Sequence, residues 1–252
     1  MKKPELEVLE KVDESLLRQI LETPSCTPKE MLYLEMGVLT IRFIIVRRRI
    51  NYLHYILNQP KESLLFRVFK AQLDNPVKND WTETVKQDFE TLNMKLDMNE
   101  IKTMNEMRFK MKVRKAVEEE GFKYLNKLKK GDGTKTGHSK VAHIEHKNLE
   151  MADYLKPNII AIEKAKFLFL IRTRMLDIKA NFKNSHDNLL CVACKESSET
   201  QEHLLVCKAL IDDNIVVDRF PRYNELFGVE LKPKIIIAGI MQTNFKKRKQ
   251  FK

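Results

Sequence analysis

The sequence predicts an all-α fold. Apolar residues recur at three- and four-residue spacing along most of its 252 residues, the signature of amphipathic helix. Glycine occurs only seven times, too sparsely for a glycine-loop nucleotide fold or a β-sandwich. The one real cluster of breakers is GDGTKTGHS at 131–139, which places the main flexible joint there. These features predict a multi-helix bundle over residues 1–130. Beyond the joint, residues 140–252 form a second helical region with a small module at about 189–211 and a basic tail.

The helices follow in order. Leu6, Leu9, Val12, Leu16, Leu17 and Ile20 form one apolar face, stopped by Thr23-Pro24. Thr27 is placed as the N-cap of the next helix, with Pro28 at its first position and Gly37 at its end. Val38 to Leu57 is apolar but interrupted by Arg47-Arg48-Arg49. Three successive residues sweep about 200° of a helix, so one arginine must approach the apolar face, snorkelling or held for an anionic partner. Ser63 to Leu73 ends at Asp74-Asn75-Pro76, and Thr84 to Leu92 resumes helical spacing. Met98 to Lys130 reads as a short helix and then a long basic one. Leu149 to Leu155 reads as a short helix, and Asn158 to Lys179 as a strong one capped by Asn158. Helices at His203 to Ile211 and about Lys234 to Lys249 complete the chain, with no internal repeat.

Three of the four cysteines fall within 17 positions, in CVACKESSETQEHLLVC. Cys191, Cys194, His203 and Cys207 follow C-x2-C-x8-H-x3-C. A C-x-x-C turn aims two thiolates at one point, and residues four apart on a helix share a face. Thiolates with one imidazole suit Zn²⁺ in a tetrahedral site, so this spacing predicts a zinc-stabilised C-terminal module. A redox pair would require a thioredoxin-like βαβ setting, which the surrounding pattern lacks. Cys26, between two Thr-Pro/Ser-rich turns, reads as a reduced thiol. Ligand thiols with one odd cysteine predict a reducing compartment, nucleus or cytoplasm.

The net charge is +11. Residues 1–36 are net acidic, so the basic excess lies beyond them, in Arg42–Lys70, in Arg108–Lys130 and in the tail Lys246, Lys247, Arg248, Lys249 and Lys252. A polyanion suits such a surface, and nucleic acid is the usual one. The candidate phosphate contacts are Arg42, Arg47, Arg48, Arg49, Lys110, Lys112, Arg114 and Lys115. The N-terminal sequence has no apolar core of signal-peptide type. Phe43 to Val46 and Ile235 to Met241, the longest apolar runs, are too short for a bilayer, so no membrane partner is expected.

Several landmarks taken in order resemble the C-terminal region of non-LTR retrotransposon reverse transcriptases, downstream of the polymerase palm. They are VDESLLRQIL at 12–21, TPKEMLYLEMGVLTIRFIIVRRRINYLHYIL at 27–57, NDW at 79–81 and GHSKVAHIEHKNLEMADYL at 137–155. The helix ending FLIRTRMLDIKANFK and the ET-x-x-HLL core of the cysteine segment follow. The resemblance implies a Cys-Cys-His-Cys module beyond the thumb, associated with nucleic-acid handling. By position its ligands would be Cys191, Cys194, His203 and Cys207.

The catalytic half of such a polymerase is missing from the sequence. The only Asp-Asp pair, Asp212-Asp213, follows a helix and has no aromatic residue before it, unlike the metal-binding turn that phosphoryl transfer requires. No phosphate loop, nucleophile elbow or dinucleotide fingerprint occurs, so no small-molecule substrate is expected. His138, His143, His146 and His186 read as surface histidines. The cysteine segment holds no aromatic residue, Phe182 and Phe220 being the nearest, so it reads as a structural clip rather than a base reader. The expectation is a non-catalytic, zinc-binding fragment that binds RNA or DNA electrostatically. The alternatives are a host-adapted protein-interaction module and a non-functional element remnant.

Overall fold

A computed structural model describes residues 3–78, 80–131, 141–185, 188–211, 225, 227 and 230–251. It is mostly helical, about 65% helix with almost no strand, and ten α-helices lie among the described residues. They are α1 (Lys3–Leu21), α2 (Lys29–Met36), α3 (Ile41–Leu57), α4 (Leu64–Asp74), α5 (Trp81–Thr91), α6 (Met98–Thr103) and α7 (Glu106–Lys130). After these come α8 (Ile162–Arg172), α9 (Gln201–Val206) and α10 (Leu231–Arg248). The breaker cluster at 131–139 falls, beyond Gly131, outside the described residues. The chain divides into two compact units, Met1–Asp13 with Val38–Leu125, and Glu14–Gly37 with Asn126–Lys252.

In the first unit, α3 supplies Phe43, Val46, Ile50, Leu53 and Leu57 at three- and four-residue spacing, all buried. Phe69 of α4, Val85 and Phe89 of α5, Ile101 of α6, and Phe109, Val113 and Val117 of α7 close around them. Each such side chain contributes about 1.5–3 kcal/mol by leaving water. Capping in this unit is local. Ser63 accepts from the Phe66 N–H at 3.2 Å, and Asp80 accepts from the Glu83 N–H at 2.7 Å and from the Thr82 hydroxyl at 2.8 Å. The Asp80 cap starts α5 at Trp81, three residues before the apolar spacing resumes at Thr84.

In the second unit α2 is buried all round, from Glu30 to Glu35, so it is a core helix rather than an amphipathic surface one. Pro28 rather than Thr27 precedes it; the Thr27 hydroxyl caps nothing and has no hydrogen-bond partner. Gly37 ends it in the left-handed region at φ 64°, its N–H bonded to the Tyr33 carbonyl. A Cβ at Gly37 would lie 2.0 Å from the Met151 backbone nitrogen and 2.2 Å from the Glu150 carbonyl carbon. Gly37→Ala should therefore cost about 3 kcal/mol or more, from left-handed strain plus backbone displacement. A shifted denaturant midpoint with unchanged slope would register it, and an unshifted one would contradict the close approach.

The same approach explains why Leu149 to Leu155 is not a helix. Before Asp153 this segment has no regular secondary structure, and the Ala152 N–H donates to the Glu35 carbonyl at 2.8 Å. Only a 3₁₀ turn at Asp153–Leu155 remains. Helix α8 is shorter than its apolar pattern. Asn158 is not a cap but sits at φ 66°, a conformation asparagine tolerates, and Ala161 precedes the helix without a side-chain cap. At the far end the Thr173 hydroxyl bonds back to the Phe169 carbonyl, and Arg174 turns left-handed at φ 57°. Helices α8, α9 and α10 pack together through Leu168, Phe169, Leu204, Ile237 and Met241, all fully buried.

Candidate metal centre

Residues 189–199 fold as a small hairpin. Leu190 pairs with Ser198 in an antiparallel bridge, the Cys191 N–H donates to the Ser197 carbonyl at 2.7 Å, and the Glu199 N–H to the Leu189 carbonyl at 2.8 Å. The C-x-x-C turn lies at its tip, closed by a bond from the Lys195 N–H to the Cys191 carbonyl and by Lys195 at φ 59°. Thr200 then accepts from the His203 N–H at 3.0 Å and starts α9 at Gln201, two residues before the sequence pattern placed it. Cys207 is the C-cap of α9 rather than a residue within it.

This geometry gathers four donor atoms. Those of Cys191, Cys194, His203 and Cys207 all lie within 4.8 Å of one another, so the cluster can hold a metal ion. The Cys191 and Cys207 sulfurs are 3.9 Å apart, and Cys194 Sγ lies 3.3 Å from His203 Nε2. Cys191 and Cys207 are buried, while Cys194 and His203 are half-buried. Without a cation, burial and the neighbouring Cys191 push the Cys207 thiol up to about 12. Burial also raises the Cys194 thiol, but the N–H groups of Glu196 and Ser197 and the sulfurs of Cys207 and Cys191 outweigh it and lower its pKa. Three thiolates at one point require a cation.

A brace not apparent from the sequence holds this hairpin. The Glu199 side chain is fully buried and accepts two bonds from Arg248 of α10, both at 2.7 Å. It also accepts from the Lys179 N–H at 2.9 Å. Asn244 of α10 donates to the Leu204 carbonyl at 2.6 Å. Burial raises the Glu199 carboxyl, but Arg248 and these N–H donors hold it below its usual value. Arg248, one of the tail cations, is therefore a buried structural residue, whereas Lys246 and Lys249 are exposed. Asp212, Asp213 and Lys252 lie outside the described residues.

Most of the predicted phosphate contacts already have an acid beside them. Arg49 forms a bidentate pair with buried Asp88 of α5 at 2.6 and 2.7 Å. It is the arginine that reaches the apolar side, held there by an internal carboxylate. Arg42 pairs with Glu10 at 3.5 Å and lies over the Tyr124 ring. On α7, Lys110 pairs with Glu106, Lys112 with Glu100, Arg114 with Glu118 and Lys115 with Glu119. These α7 pairs are exposed and screened by solvent, so a phosphate can displace such acids. Among the described residues, Arg47 and Arg48 have no ion pair; Arg48 is exposed and Arg47 half-buried.

A second group of buried ionisable residues lies in the second unit. Glu35, with no exposed surface, accepts from Arg172 Nη2 at 2.9 Å, Arg172 Nε at 3.1 Å and the Tyr154 hydroxyl at 2.6 Å. His146 Nε2 is 3.1 Å from the same carboxylate, so this histidine is not a surface residue. His143 is exposed, as expected, with its ring against Phe227. His138 and His186 lie outside the described residues. Lys129 donates to the Ile144 carbonyl, and its ammonium lies 3.3 Å from His146 Nδ1.

No protein-family model matches the chain, and no curated protein or solved structure matches it. The geometry itself carries the functional reading. No helix among the described residues is long and apolar enough to cross a membrane.

Proposed function

We propose that the chain is a non-catalytic, zinc-stapled helical protein that binds nucleic acid through its basic surface. In this reading it is a fragment of a non-LTR retrotransposon reverse transcriptase. The convergence of the four donor atoms within 4.8 Å carries the reading. Zinc is favoured by three sulfurs with one imidazole nitrogen, a borderline-soft set. In a regular tetrahedron with Zn–S near 2.3 Å, adjacent sulfurs stand about 3.8 Å apart. The Cys191–Cys207 separation of 3.9 Å fits that edge.

Polyanion binding is supported by the net charge of +11, by the exposed lysines of α7 and by the free guanidinium of Arg48. The order of sequence landmarks supports the retrotransposon origin. The non-catalytic part of the reading follows from the absence of polymerase and endonuclease motifs in the sequence.

Two measurements on the purified chain test it. Elemental analysis should give one zinc per chain. Affinity for an oligonucleotide should fall steeply with salt, the slope reporting the phosphates neutralised. A folded chain without metal removes the staple, and an affinity indifferent to salt removes electrostatic binding. A protein-docking role is the second reading. It is favoured by Val8, Leu9 and Val12 of α1, which stand 60%, 43% and 63% exposed.

A further inference from the structure

Helix α3 carries four arginines and no acidic residue. Glu10 and Asp88 engage Arg42 and Arg49, leaving Arg47 and Arg48. Arg48, Tyr52 and Tyr55 follow one another at four- and three-residue steps, so they line one helix face. Tyr52 is 45% exposed and Tyr55 53% exposed, unusual for two aromatic side chains beside each other. Their rings stack, with centroids 5.8 Å apart and planes 18° from parallel. Neither hydroxyl has a hydrogen-bond partner among the described residues.

The pair is held rather than loose. Trp81 meets Tyr52 edge-on at 5.9 Å, and buried Phe69 meets Trp81 edge-on at 6.0 Å. Two rings are thus fixed in a water-facing orientation beside an unengaged guanidinium, on a helix with no negative charge to repel an anion. A ligand matched to this surface offers flat π-faces and spaced negative charges. Single-stranded nucleic acid has both, whereas a duplex hides its base faces in its own stack.

We infer that Tyr52 and Tyr55, with Arg48 on their face and Arg47 beside it, form a stacking platform for the unpaired bases of single-stranded nucleic acid. The inference rests on the nucleic-acid reading above and gives it a location in the first unit, which holds none of the candidate metal ligands. The bases lie on the tyrosine rings, and the arginines, about one turn nearer the N-terminus of α3, hold the adjacent phosphates. Aromatic stacking of this kind tolerates any base, so the platform predicts little sequence preference.

The test uses the full chain and one mixed-sequence oligonucleotide, made as RNA strand, DNA strand and duplex. Binding is followed by fluorescence anisotropy at several salt concentrations. Both single strands should bind more tightly than the duplex, and the RNA and DNA arms show whether the sugar matters. Tyr55→Ala touches no partner ring but Tyr52 and should weaken single-strand binding about tenfold at unchanged salt slope. Tyr55→Phe should restore it. Arg48→Gln should reduce the slope by about one. Parent-like affinity of Tyr55→Ala, or duplex binding as tight as single-strand binding, overturns the platform while leaving electrostatic binding intact. Absence of any binding by the parent at low salt overturns both, with zinc content deciding the staple separately.

Discussion

Cys207→Ser should abolish stoichiometric zinc binding and unfold more of the chain than the hairpin alone. Structural zinc in small modules supplies about 10–16 kcal/mol of apparent binding free energy near neutral pH, and that free energy is folding free energy. Cys207 is fully buried and ends α9, so losing its sulfur removes both a ligand and the anchor of that helix. The effect then spreads through named contacts. Leu204 accepts from Asn244, the Leu210 carbonyl accepts from Lys247, and Glu199 holds Arg248; all three partners belong to α10. Once the hairpin opens, Glu199 and Arg248 have no reason to remain buried together. Chelation of the parent should have the same consequence as the substitution. Far-UV circular dichroism should show a loss matching α9 and part of α10, while the first unit, which holds none of the ligands, keeps its helicity. Cobalt exchanged for zinc should give the visible bands of a tetrahedral thiolate site, absent in Cys207→Ser. A variant that retained one metal per chain would remove Cys207 from the ligand set.

The clustering of the four candidate metal ligands was legible because their relation is local. Seventeen residues contain the whole pattern, and a turn pair with a helix-spaced pair leaves few ways to place the donors. Caps were harder to read although they act at equally short range: Ser63 and Asp80 each cap three residues away, whereas Thr27 and Asn158, placed as caps from the sequence, cap nothing. What the spacing could not reveal acts over long separations. Glu199 and Arg248 are 49 positions apart, and Glu35 and Arg172 are 137 apart. A charged residue in sequence reads as solvated until its partner is known, which is how Arg248 came to be counted with a basic tail. The three successive arginines Arg47, Arg48 and Arg49 posed the problem correctly, since one had to face inward, but Asp88 on another helix supplies the answer. Leu149 to Leu155 misled in the opposite sense. Its composition suits a helix, yet its backbone pairs with the end of α2, and a contact with Gly37 outweighs local propensity.

Glu35→Gln should be the most damaging single substitution outside the metal centre. Burial alone would raise the Glu35 carboxyl, but Arg172 and His146 outweigh it and hold the carboxyl far below its usual range. Removing that charge leaves Arg172 buried and uncompensated, with Lys129 and Lys234 among the charges that act on this group. Breaking one partner of a buried pair costs about 3–5 kcal/mol, whereas replacing both by apolar residues can be neutral. The double variant Glu35→Met, Arg172→Met should therefore recover much of what Glu35→Gln loses.

The pH dependence separates the contributors. A carboxyl whose folded pKa is depressed stabilises the fold above its ordinary value near 4.5, and that stability is lost as the pH falls toward the folded value. Glu35→Gln should accordingly flatten the acid side of the profile relative to the parent. Lys129 and Lys234 give a slope of the same sign at higher pH, there by relief of a burial cost rather than by gain of a partner. Burial lowers each to about 8 from 10.5, so the unfolded chain binds more protons between those values, and stability should rise with pH across that window. Lys129→Met should lessen that rise, and urea midpoints taken from about pH 2 to about pH 11 read both limbs in one series. A Glu35→Gln loss below about 1 kcal/mol, or an acid limb identical to the parent's, would mean that Arg172 finds another anion, and the buried pair would no longer explain the core of this unit.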